Sequence, residues 1–207
     1  MPVQPSDVPI RGIRFAGIDF ESAGASRGRT DVPVQIGLAW WSCSEGHQAH
    51  YVSFLASDAP ITWSARKVHG ITDEDVVGAP RLLELWPTVK RYLGQSVVVA
   101  HGKGTEKRFL RAFPGHGFGP WVDTLLLARS AWPELKDHSL SAICDSRGLS
   151  DRIAGMIEDK TWHDALFDTV ASLVVLEDIV QEFGLSDLPL SHLTHPDTSR
   201  WHRLRHG

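Results

Sequence analysis

Asp19 and Glu21 stand two positions apart at the end of an apolar run, Phe15-Ala16-Gly17-Ile18. A short apolar run of this kind reads as a buried strand. Successive strand side chains point to opposite faces, so the two carboxylates project the same way. Held together there they repel, and a bound divalent cation is the simplest compensation. Taken alone, Asp-x-Glu favours the plainer reading of a solvated strand end, and the rest of the chain has to raise it.

Three other positions hold groups that a metal site could use. Val97 to Ala100 is a short, fully apolar strand, followed by His101, a glycine-rich turn and a helix whose first turn carries Glu106. Parallel α/β sheets place ligands at the carboxyl ends of their strands, where Glu106 can approach Asp19 and Glu21. The local alternative is an ordinary acid at a helix N-terminus. Asp168 lies beside the apolar stripe of the last long helix, between Phe167 and Val170. His163 precedes it by five residues. At about 100° per residue, helical positions five apart point about 140° away from each other. His163 must therefore sit in the loop or first turn before the helix, with Asp164 near the helix start.

The elements that position these groups follow from patterning. Residues 13–20, 34–42 and 48–55 read as three strands of an antiparallel meander, with a turn at Ser44-Glu45-Gly46. Residues 97–100 and 121–123 are short strands, the first central and parallel. Helices are expected at 63–68, 80–93, 106–113, 124–131, 140–147 and 163–183. Ser139 is placed to cap the fifth and Gly148 and Gly184 to close the last two. Strands first, then strands interleaved with helices, indicate one α/β domain with a mixed five-stranded sheet. The domain is expected over 10–185, with a loose arm at 1–9 and a basic, solvated tail at 186–207. Arg27 and Arg29, in a glycine- and serine-rich loop, are read as solvated rather than phosphate-binding.

Composition bounds the function. The chain has 207 residues and a formal net charge of −4, so total charge does not announce a nucleic-acid binder, although a local basic patch would suffice. Cys43 and Cys144 lie far apart without metal-ligand spacing, and read as reduced thiols. Neither a signal peptide nor a membrane span is visible, and a cytoplasmic location is expected.

The ordered set of motifs resembles the DEDDh 3′–5′ exonucleases, relatives of the proofreading subunit of bacterial DNA polymerase III with an RNase H-like fold. The set is Asp19-Phe20-Glu21, then His101 with Glu106 and Phe109-Leu110, then His163 with Asp168. Between them, His69-Gly70-Ile71, Gly78-Ala79-Pro80, Asp123-Thr124 and His138-Ser139-Leu140 resemble further family segments. The resemblance runs from about Ile13 to Phe183.

It implies a hydrolase using two Mg²⁺ or Mn²⁺ ions, held by Asp19, Glu21, Asp168 and Glu106. His163 would take a proton from the attacking water, and the products would be nucleoside 5′-monophosphates from a 3′ end. It also implies that Phe20, Ser22, His69 and His101 contact the substrate, a single-stranded DNA or RNA 3′ end. For His69, a helix-terminal role is an equal alternative. The chain departs from the pattern at Gly102, where Asn is usual, at Thr105, where an aromatic is usual, and at Glu106, where Asp is usual. The tail shows no apolar-aromatic peptide for a polymerase or clamp, so a stand-alone enzyme is expected. The alternatives are an RNA exonuclease, a non-cleaving module that binds nucleic-acid ends, and a phosphodiesterase of small nucleotides.

Overall fold

Strand β1 (Phe15–Ser22) decides which layer each side chain enters. In the computed structural model, which describes residues 7–25, 28 and 30–206, β1 is the centre of a five-stranded sheet ordered β3-β2-β1-β4-β5. Strands β2 (Pro33–Ser42) and β3 (Gly46–Phe54) complete an antiparallel meander. Strands β4 (Val97–Ala100) and β5 (Trp121–Asp123) add parallel partners. This is the expected mixed sheet.

Ala16, Ile18 and Phe20 point into one apolar layer with Ile36 and Leu38. That layer is covered by α2 (Trp86–Leu93) and α3 (Gly104–Leu110). The opposite face of β1 carries Phe15, Gly17, Asp19 and Glu21, and α7 (Ala165–Glu182) lies across it. Two glycines let α7 come close. A Cβ on Gly17 would sit 2.9 Å from the Leu173 and Thr169 side chains. A Cβ on Gly37, the β2 partner of Asp19, would sit 2.1 Å from the Ala165 carbonyl oxygen. The first turn of α7 therefore rests on the backbone of β2 beside Asp19, which no larger residue at 37 would allow.

The remaining helices are α1 (Trp63–His69), α4 (Thr124–Ala131), α5 (Leu140–Ser146), α6 (Ser150–Met156), α8 (Ser191–Thr194) and α9 (Thr198–His206). Three expectations change. The helix expected over 80–93 is divided into a 3-10 turn, Leu82–Leu85, and α2. Pro87 lacks an N–H and is accommodated only in a first turn, so the α-helix restarts there. Helix α6 was not foreseen, because its only fully inward apolar residue is Ile153. The tail expected to be solvated is instead folded. Trp201 is 0 % exposed and packs edge-on to Phe183 at 5.2 Å between centroids.

The described part of the N-terminal arm is tied to the same region. The Leu190 N–H donates to the Val8 carbonyl at 2.9 Å, and the Ile10 N–H to that of Leu188 at 3.0 Å. Residues 1–6, Arg27 and Arg29 lie outside the described residues. Among the described residues no helix is long and apolar enough to cross a membrane.

Candidate active site

The four acids of the expected set reach one region from three elements. Asp19 and Glu21 leave β1 on the face toward α7. Asp168 comes from the first turn of α7, and Glu106, only 4 % exposed, from the first turn of α3. Ligand atoms of Glu21, His163 and Asp168 lie within 4.8 Å of one another. Asp19 adjoins this group: its carboxyl feels the charges of Asp168, Glu106 and Glu21.

His163 stands outside the helix, as its phase with Asp168 required. Its φ is +67°, in the left-handed region that L-residues avoid. Three contacts around Asp164 hold this turn. Asp164 caps α7 by accepting from the Leu166 N–H at 3.0 Å. It also accepts from the Gln35 side-chain amide at 3.0 Å and pairs with Lys160 at 2.8 Å. Gln35 in turn accepts from the Ala165 N–H at 2.8 Å. Gln35, 2 % exposed, is the β2 partner of Glu21, so one buried amide fixes the helix start against the strand that bears the acids.

The electrostatics are those of carboxylates lacking compensation. Burial pushes Asp19 well above the usual carboxylate range, and Asp168, Glu106 and Glu21 add to it. Burial lifts Glu21 to about 8, with Asp168 and Asp164 contributing. Asp168 is raised to about 7 by burial, against the lowering effect of the His163 backbone N–H. Glu106 is raised to about 7, again chiefly by burial. Glu106 Oε2 and Asp168 Oδ1 are buried without a hydrogen-bond partner. Buried acceptors left unpaired are costly. Clustered hard oxygen donors of this kind fit a divalent cation such as Mg²⁺ or Mn²⁺.

The expected substrate contacts divide. Ser22 and His69 line an open depression of about 320 Å³ that also reaches Glu21. The two His69 nitrogens are engaged within the chain. Nδ1 accepts from the Ile71 N–H at 3.0 Å, so Nε2 carries the proton donated to the Ser22 carbonyl at 3.0 Å. Burial lowers the pKa of this ring, in keeping with its neutral form. The ring thus joins the end of α1 to the end of β1. The His101 ring is similarly engaged, with Nε2 at 2.9 Å from the His138 carbonyl and Nδ1 at 3.0 Å from the Thr124 hydroxyl. The Phe20 ring is buried edge-on against Phe109, 5.4 Å away, so only its backbone faces the site.

Sequence reading missed Gln35 and Gly37; a glutamine inside an apolar strand was the available signal. It also missed a role for Asp123. That residue accepts from the Gly102 N–H at 3.0 Å and caps α4, fixing the turn that leads to Glu106.

The RNase_T exonuclease family model matches residues 16–176, which include Asp19, Glu21, Glu106, His163 and Asp168. The chain belongs to the RNase_T exonuclease family. Within it, this chain is 29 % identical to Exodeoxyribonuclease 10 of Escherichia coli (strain K12) over 178 residues, covering 86 % of this chain and 73 % of that protein. It is 27 % identical to a DNA polymerase III PolC-type protein of Halalkalibacterium halodurans over 187 residues, covering 87 % of this chain but 12 % of that one. The chain thus spans only about a tenth of the PolC-type relatives. Its fold superposes on Exonuclease X in complex with 5′ overhanging duplex DNA with a TM-score of 0.67 at 24 % identity, covering 87 % of this chain and 99 % of that one. It also superposes on the nuclease domain of 3′hExo, a DEDDh family member bound to rAMP, with a TM-score of 0.66 at 13 % identity, covering 84 % and 94 %.

Proposed function

We propose that this RNase_T family chain is a 3′–5′ exonuclease that hydrolyses the terminal phosphodiester of single-stranded DNA and releases nucleoside 5′-monophosphates. The observation that carries the reading is the convergence of Asp19, Glu21, Glu106 and Asp168 on one region with buried, unpaired carboxylate oxygens, beside a histidine held outside its helix. Asp19, Glu21 and Asp168, with Glu106, would hold two divalent ions, Mg²⁺ or Mn²⁺. When bound, such ions neutralise charge at the phosphate and supply an activated water near neutral pH.

The chain's own residues do the rest. His163, next to Glu21 and Asp168, accepts the proton of the attacking water. The leaving 3′ oxygen takes a proton from solvent. The Phe20 backbone and Ser22 form the wall for the terminal nucleotide. His69 and His101 act by fixing that wall and the 102–105 turn, since their ring nitrogens already bond to the protein.

The test is a 3′-end-labelled DNA strand and an RNA of the same sequence, each incubated with Mg²⁺, with Mn²⁺ and with EDTA, using Asp19→Ala as control. The reading predicts metal-dependent release of the labelled terminal nucleotide as a 5′-monophosphate, faster from DNA and absent in the variant. Faster release from RNA would shift the substrate class. No release from either, by folded protein, would leave an end-binding module and implicate Glu106.

A further inference from the structure

A second concave surface lies at the opposite end of the sheet from the acids. It is a depression of about 540 Å³ lined by Arg14, Pro87, Lys90, Arg91, Gln95 and Ser96, with no acidic residue in its lining. Arg14 precedes β1, whereas Lys90 and Arg91 belong to the last turn of α2. The Val97 N–H donates to the Arg14 carbonyl at 3.0 Å, and this bond holds the start of β1 beside the turn that follows α2. The Trp40 ring, from β2, lies 5.1 Å from the Arg14 guanidinium and 5.7 Å from that of Arg91. Trp40 is itself held, donating from Nε1 to the Tyr92 carbonyl at 3.0 Å.

Cations in a helix's last turn are ordinary partners of its dipole, which would account for Lys90 and Arg91. It does not account for Arg14, which arrives from another element. Nor does it account for the want of counter-acids. Other described cations, such as Lys67 and Arg111, also lack an ion pair, but here Arg14, Lys90 and Arg91, none of which forms one among the described residues, surround a single hollow whose lining holds no acid. In a chain of net charge −4, three unpaired cations around one hollow are a local reversal of sign. Planar guanidiniums held against the Trp40 ring, with the Lys90 ammonium 5.9 Å from the Trp86 ring beside them, suit phosphodiester oxygens.

We infer that Arg14, Lys90 and Arg91, the two guanidiniums held against Trp40, form a second nucleic-acid contact, binding the phosphate backbone of the strand whose 3′ end lies at the carboxylates. The inference rests on the exonuclease reading for what the strand's other end is doing. From Arg14 to Glu21 is seven strand residues, about 23 Å at about 3.3 Å each. A tetranucleotide at the acids therefore does not engage this surface, and a long strand does.

The test compares wild type with the triple variant Arg14→Gln/Lys90→Gln/Arg91→Gln, each shown folded by its thermal midpoint. Binding of a fluorescent single strand of about thirty nucleotides is followed by anisotropy in EDTA across a salt series. Losing three phosphate contacts should flatten the slope of log affinity against log salt by about two and weaken binding at least tenfold at low salt. Tetranucleotide binding should be unchanged, and so should long-strand binding by Arg200→Gln/Arg203→Gln, which removes charge elsewhere. An unaltered slope for the long strand, or an equal loss for the tetranucleotide, would overturn the inference. So would a triple variant that loses binding to phosphatidylserine vesicles but keeps the strand. Because binding is read in EDTA, failure of the exonuclease reading appears separately, as absence of cleavage by the wild type.

Discussion

Glu106 is the residue at which this chain tests its own chemistry. It brings one more methylene than aspartate, yet its carboxylate is buried, with one oxygen unpaired, within reach of the Asp19 field. Glu106→Gln keeps the shape and removes the charge, and steady-state cleavage should fall by a factor of ten or more. Glu106→Asp should be tolerated or better, and wild-type rates in Glu106→Gln would remove Glu106 from the site. The same acids set a pH dependence of stability. Glu21 near 8 and Asp168 and Glu106 near 7 hold protons that an unfolded chain, with carboxylates near about 4, has released. Their contribution is fully present below the unfolded values and is lost as pH rises through the folded ones. In EDTA the thermal midpoint should therefore be lower at pH 8 than at pH 6. Mn²⁺ should narrow that gap, and a flat profile in EDTA would contradict the assignment. His163 separates stability from activity. With φ at +67°, His163→Gly relieves backbone strain and should leave stability unchanged or raised by about 1 kcal/mol, while abolishing cleavage.

The decisive elements are β1, β2 and the first turn of α7. Gly37→Ala places a methyl 2.1 Å from the Ala165 carbonyl, an overlap that only movement of α7 can relieve. Denaturant unfolding should show a loss of about 1–3 kcal/mol or more, with cleavage lost beyond what unfolding explains, because Asp168 and His163 move with the helix. A substitution with neither effect would mean that this contact does not position the site. Some of this was legible in sequence. The phase argument placed His163 before the helix, since 3.6-residue periodicity is local. The alternation of β1 gave Asp19 and Glu21 a common face for the same reason. Gln35 and Gly37 were not legible, because what they touch lies about 130 positions away and leaves no periodic trace. The split at Pro87 was legible in principle, but the apolar spacing across 80–93 concealed it.

At the scale of the whole molecule, the sheet separates two charge regimes: unpaired acids at one end of β1, unpaired cations at the other. The last segment joins this body rather than trailing from it. Its charged and histidine-rich composition concealed the role of Trp201, which closes the core against Phe183. Trp201→Ala should cost about 3–5 kcal/mol, read by denaturant unfolding, where a solvated tail would give a change within about 0.5 kcal/mol.

The central claim is that Asp19, Glu21, Glu106, Asp168 and His163 act as one metal-dependent centre that removes nucleotides from 3′ ends. The most direct measurement is single-turnover cleavage of a 5′-labelled single strand across a Mn²⁺ titration, for wild type and Asp168→Asn. The account predicts a ladder shortening one nucleotide at a time from the 3′ end, rising to saturation with Mn²⁺ and absent in the variant. Internal cuts, or shortening that persists without metal or in Asp168→Asn, would contradict it.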